Sequence, residues 1–153
     1  MTIKHQGWRF AVVYADARLT DNQATMKLVA DAYLAHIEEC FEFFENISVE
    51  LMEREISQVL LLHVNELNAD YGDELVDMVK RRGYEFIFIE EALEDTAYLL
   101  PDSYAGQTGP SWLHRWAFTM GKHLPPEPRE PVFIRELFTE IIEQTGNRHC
   151  VAL

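Results

Sequence analysis

Basic residues are scarce in this chain: 13 Lys and Arg stand against 26 Asp and Glu, leaving a formal net charge of −13 over 153 residues. Nucleic-acid affinity comes mainly from Lys and Arg neutralising phosphates, so this balance argues against a phosphate-backbone partner. It argues against an anionic membrane surface for the same reason. Cysteine is scarcer still. Cys40 and Cys150 are too few for a disulfide framework or a Cys-rich zinc site; Cys40 reads as core, Cys150 as a tail thiol, and the redox compartment is left open. No apolar run approaches the roughly 18–20 residues that span a bilayer. The longest clean stretch is Val59-Leu60-Leu61-Leu62, and Met1-Thr2-Ile3-Lys4-His5-Gln6 contains no apolar signal-peptide region.

Common catalytic signatures are missing too. There is no G-x-S-x-G, Walker A or G-x-G-x-x-G pattern, which removes the commonest serine-hydrolase and nucleotide-binding readings. His5, His36, His114, His123 and His149 show no i, i+4 pair and no His-Glu-x-x-His arrangement, so no metal site is expected from this chain alone. The final Cys150-Val151-Ala152-Leu153 fits a prenylation pattern, but no polybasic stretch precedes it, and a frayed tail is the plainer reading.

What the chain does have is 48% hydrophobic and 12% aromatic residues, enough for one packed core at this length. Phe10, Ala11, Val13, Tyr14 and Ala17 predict a short helix from Trp8 to about Leu19, with a strand over Phe10–Tyr14 as the competing reading. Asp21 or Asn22 can cap a long amphipathic helix carrying Met26, Val29, Tyr33, Ile37, Phe41, Phe44 and Leu51 at three- to four-residue steps. Thirty residues span about 45 Å, so this helix either kinks or packs against something larger. Gln58–Val64 and Tyr84–Ile89 are apolar on consecutive positions, the pattern of strands buried on both faces of a parallel sheet. Between them Leu75, Val76 and Val79 mark a helix closing at Lys80-Arg81-Arg82-Gly83, which would make one βαβ crossover.

Beyond these, Glu90–Tyr98 predicts a short helix and Pro101–Pro110 a loop. Ser111 caps a helix through Trp112, Leu113, Trp116, Ala117 and Met120 to Gly121. A proline-dense linker over 124–131 separates a body of residues 1–123 from a final amphipathic helix and tail over 132–153. His63 is the foremost candidate for chemistry, because it falls at the C-terminal end of a predicted parallel strand, where α/β folds place active-site groups, and an imidazole serves as general acid or base. The alternative is a histidine satisfied by backbone at a strand end. Asn65, Glu66, Asn68 and Asp70 read as loop caps or supports for it. Trp112 and Trp116, one turn apart, could stack on a sugar ring, although that spacing usually marks core.

The stretch Gln58–Asp70, with Val79–Phe86, Glu91-Ala92-Leu93 and Trp112–Ala117, resembles the C-terminal half of NodB-type polysaccharide deacetylases, the similarity running from about Thr2 to Lys122. The resemblance implies an α/β fold, a helix-rich partial (β/α) barrel with a small parallel sheet, and hydrolysis of acetyl groups on amino-sugar glycans with one divalent metal such as zinc. Leu61-Leu62-His63 matches that family's Leu-x-His motif, making His63 the general acid for the leaving amine or alcohol and Leu61 a wall of the acetyl pocket. Lys4-His5-Gln6-Gly7-Trp8 matches an Asp-x-x-Asp-Trp motif only at Trp8, a second pocket wall; glycine stands where the histidine's partner aspartate would be. The family's Asp-Asp pair and His-x-x-x-His pair do not occur, and its Arg-x-Pro-aromatic motif is missing, because Arg129-Glu130-Pro131 leads into Val132 and follows His63. The chain therefore reads as a truncated, inactive C-terminal portion without a metal of its own, with an acetylated glycan as the implied partner. A non-catalytic glycan- or protein-interaction scaffold is the alternative. Its uncovered apolar surface predicts a homo-oligomer. The resemblance implies the bacterial envelope or cytoplasm, and the N-terminus does not choose between them.

Overall fold

Helices follow one another with no strand between them among the described residues of the computed structural model, which are 1–5 and 7–146. They are α1 (Gly7–Leu19), α2 (Gln23–Met52), α3 (Glu66–Asp70), α4 (Gly72–Arg81), α5 (Ile89–Ala92), a 3₁₀ turn (Thr96–Leu99), α6 (Trp112–Thr119) and α7 (Val132–Gly146). None is long and apolar enough to cross a membrane. The predicted helices form where periodicity and caps agree. Asn22, not Asp21, opens α2, its Oδ1 accepting from the Thr25 N–H at 3.1 Å. Gly83 at φ 89° and Gly121 at φ 69° follow α4 and α6 in the left-handed region that favours glycine. Acidic Asp73 and Glu74 begin α4 and basic Lys80 and Arg81 end it, complementing its dipole. The predicted helix over Glu90–Tyr98 is two pieces, α5 and the 3₁₀ turn.

The α/β expectation is overturned. Gln58–Val64 and Tyr84–Phe88 make no ladder, and Ile89 already belongs to α5, so among the described residues there is no parallel sheet, no βαβ crossover and no partial barrel. Among the described residues one isolated parallel bridge forms, Ile3 with Leu60. The physical reason lies in the hydrogen bonds and the cover. The Val59 N–H donates to the Thr2 hydroxyl at 2.7 Å rather than to a backbone carbonyl, which ends a ladder where one would begin. Leu61, Leu62, Val64, Phe86, Ile87 and Phe88 are all exposed, so no second layer covers either run. Consecutive apolar residues state a preference for burial on two faces; they do not supply the partner strand.

The chain divides into two compact units. The first comprises Met1–His5, Ile37–Leu61 and Met78–Pro128. Its core gathers Ile37, Cys40, Phe41, Phe44, Ile47 and Leu51 from α2 with Met78, Val79, Leu113, Trp116 and Ala117, all buried. Burial pushes the Cys40 thiol up to about 12, aided by the Glu39 and Glu127 charges, so this sulfur is a small core group and not a nucleophile. After α2 the chain turns at Glu53, φ 60°, and is fastened by the buried Ser48 hydroxyl, which accepts from the Ile56 N–H and donates to the Arg54 carbonyl. The N-terminus is held by the Thr2 and Ile3 N–H groups donating to the Val59 carbonyl, and by the Met1 carbonyl accepting from Trp112 N–H.

The second unit, among the described residues, comprises 7–36, Leu62–Asp77 and 129–146. Here α1 packs against α3 and α7. Phe10, Val13, Tyr14 and Ala17 form its buried face with Val29, Ala30, Tyr33, Leu67, Leu75 and Ile134. The Phe10 ring stacks on His36 and tilts against Tyr33, while Trp8 meets Phe138 edge-on at 4.9 Å. The tail residues Cys150–Leu153, and with them the prenylation pattern, lie outside the described residues.

Candidate functional site

His63 sits in the extended approach to α3 and not at the end of a buried strand. Asn65 caps that helix, extended at φ −157°, with its Oδ1 accepting from the Asn68 N–H at 2.9 Å, which is the capping role its position predicted. The amides of Asn65 and Asn68 both donate to the His63 carbonyl, at 3.1 and 2.7 Å. Two side chains thus fix the peptide of His63. Its imidazole is exposed and receives no hydrogen bond or ion pair from the described residues.

The clamp is itself braced from the helices beneath. Asn68 Oδ1 accepts from the Tyr33 hydroxyl at 2.5 Å, so one asparagine joins α2 to the His63 carbonyl. Asp70, at the last turn of α3, accepts from the Tyr14 hydroxyl and from Arg18, both at 2.8 Å, tying α3 to one face of α1. Burial, then the bond to Asp70 and its charge, push the Tyr14 phenol up to about 12. Burial alone carries Tyr33 to about 12 against the opposing pull of its Asn68 bond. Both phenols therefore stay neutral donors and act as props, not as bases.

Tyr14, Arg18 and Tyr33 are the parts that sequence reading missed. Tyr14 and Arg18 stand four residues apart on α1, the spacing that places two side chains on one helix face, which was the available signal. Asn68 and Asp70 belong to the support expected of them, and Glu66 starts α3 in its acid-preferring first turn.

The other two predicted residues fall in different units, Trp8 in the one that holds His63. Leu61 lies in the first unit, 42% exposed, its carbonyl paired with the His5 imidazole Nε2 at 2.8 Å. Trp8 lies in the second, 44% exposed, with the Arg9 guanidinium 5.0 Å from its ring centre. Gly7, where the resemblance calls for an aspartate, is buried as the first residue of α1. Among the described residues no group of three or more His, Cys, Asp and Glu side chains is placed to hold a metal ion. Trp116 is fully buried and meets Trp112 and Tyr98 edge-to-face, which makes that aromatic pair core and not a stacking platform. No family model, curated protein or solved structure matches the chain.

Proposed function

We propose that this chain is a polysaccharide-deacetylase-like portion that meets acetylated amino-sugar glycans through His63 but does not deacetylate them by itself. The observation that supports this reading is the way His63 is held: its peptide is clamped by Asn65 and Asn68, while its imidazole is left open to solvent. A general acid needs a fixed backbone and an accessible ring, and protonates the leaving amine or alcohol. Hydrolysis needs an activated water as well, and the motifs to which the resemblance assigns that task, an Asp-Asp pair and a His-x-x-x-His pair, do not occur in this sequence. The half-exposed Trp8, in the same unit as His63, is the acetyl-facing residue of this reading.

The test uses the full chain with penta-N-acetylchitopentaose. Glycan addition should shift the His63 imidazole resonances saturably in NMR, and His63→Ala should weaken binding. With added zinc the chain should release no acetate. If the glycan leaves His63 unperturbed, the glycan reading fails; if acetate appears and His63→Ala abolishes it, the chain is a complete enzyme and the non-catalytic part fails.

A second reading, a protein-interaction scaffold, is favoured by a different observation. Phe86, Ile87, Phe88 and Ile89 are 62%, 52%, 78% and 48% exposed in one unbroken run, and a run of large apolar side chains in water is the usual mark of a contact surface. On this reading the chain associates with itself.

A further inference from the structure

In the first unit, the loop after the 3₁₀ turn and helix α6 enclose a cleft of about 510 Å³, separate from every residue discussed so far as a site. That volume lies within the roughly 300–1,000 Å³ of small-molecule sites. Its lining is informative by what it omits. In a chain of net charge −13 no carboxylate lines it; Lys122 and His123 stand at one side, and Tyr104, Pro110, Ala117 and Phe118 supply the apolar surface.

One wall is rigid. The Tyr104 hydroxyl pairs with Thr108 at 2.7 Å, its ring meets Phe118 edge-on at 5.7 Å, and the Arg115 guanidinium lies 5.7 Å from its centre. Gly106 makes room for that ring, since a Cβ there would fall 2.2 Å from the Tyr104 oxygen. Phe118 is 59% exposed, so its edge is available to a ligand.

The neighbouring charges are accounted for. Arg115 is paired with Asp102, which also accepts from the Tyr104 N–H. Glu127 receives the Ser111 N–H and pairs with Lys4. Both ring nitrogens of His114 are occupied, Nδ1 by the Ser111 hydroxyl and Nε2 by the Pro125 carbonyl. The carbonyls at the end of α6 are taken by the N–H groups of Met120, Gly121 and Lys122, so the negative helix end is covered. Lys122 is exposed and pairs with no acid among the described residues, which leaves its ammonium available to a ligand.

We infer that this cleft binds a small planar organic anion, an aromatic ring against Tyr104 and Phe118 with its carboxylate toward Lys122. The ring supplies the contact area and the ammonium selects the charge. The test is NMR titration of the full chain, uniformly ¹⁵N-labelled, with benzoate and with its neutral isostere benzamide. Benzoate should shift the amides of Gly106, Gly121 and Lys122 saturably and bind about ten-fold more tightly than benzamide, the size of one charge-assisted contact. Lys122→Gln, an exposed change that spares the fold, should erase that preference and leave benzamide unchanged. His63→Ala should leave both ligands unaffected, which separates this site from the glycan reading. Equal affinities for the two probes, shifts elsewhere on the chain only, or an unchanged preference in Lys122→Gln would each overturn the assignment.

Discussion

Asp95 accepts from both terminal nitrogens of Arg54 and from the N–H groups of Ser57 and Ala97. The Arg54 hydrogen bonds hold its carboxyl well below the usual carboxylate range, with burial opposing and the two backbone donors adding to the effect. A carboxylate whose folded value is depressed contributes stability that is present in full above its unfolded value, about 4, and is lost as pH falls through the folded value. The chain should therefore lose stability progressively below about pH 4. Asp95→Asn should be less stable at neutral pH and should show a flatter decline on acidification, measured as the urea midpoint from pH 6 to pH 2. Parallel curves for the two proteins would show that Asp95 does not carry the acid sensitivity.

At the scale of elements, α7 is anchored by a residue just ahead of it. Glu130 is 3% exposed and pairs with Arg9 of α1, whose guanidinium also lies near the rings of Trp8 and Phe138. Removing one partner of a fully buried pair costs about 3–5 kcal/mol because the other charge is stranded. The Arg9 side chain is 30% exposed, which lets water reach the carboxylate once the guanidinium is gone. Arg9→Met should then destabilise by about 2–3 kcal/mol, and adding Glu130→Leu should restore most of the loss. Thermal melts of the single and double variants check this; a double variant no better than Arg9→Met would show that the cost lies in the lost ring contacts. The same elements show what sequence could tell. The positions of α2, α6 and α7 were legible because apolar spacing, an Asn22 or Ser111 cap and a closing Gly121 are local signals that agree. Gln58–Val64 and Tyr84–Ile89 misled because a run of consecutive apolar residues shows only that burial is favoured, while strand formation depends on a neighbour elsewhere in the chain. The Asn65 cap was legible by residue type and position. The Tyr33–Asn68 and Tyr14–Asp70 bonds join residues 35 and 56 positions apart, and no local pattern reports such pairs.

For the whole molecule, two properties oppose each other. A charge of −13 repels a second copy at long range, and Glu85, Glu90 and Glu91 set part of that charge beside the exposed Phe86–Ile89 run. Apolar contact acts only on touching surfaces, at about 25 cal/mol per Å² buried, and salt does not screen it. Charge repulsion is screened over about 10 Å at 0.1 M ionic strength and about 3 Å at 1 M. On the scaffold reading, self-association should therefore strengthen as salt rises, the reverse of an assembly held by ion pairs. Light scattering after size exclusion should give a mass near the 17.8 kDa chain at low salt and a larger one at high salt. Ile87→Lys should keep the chain monomeric throughout, because it places a hydrated ammonium in the apolar run at a half-exposed position. A constant monomer at all salt concentrations and at high protein concentration would remove self-association from the reading. A high-salt oligomer that persists in Ile87→Lys would move the contact to another surface.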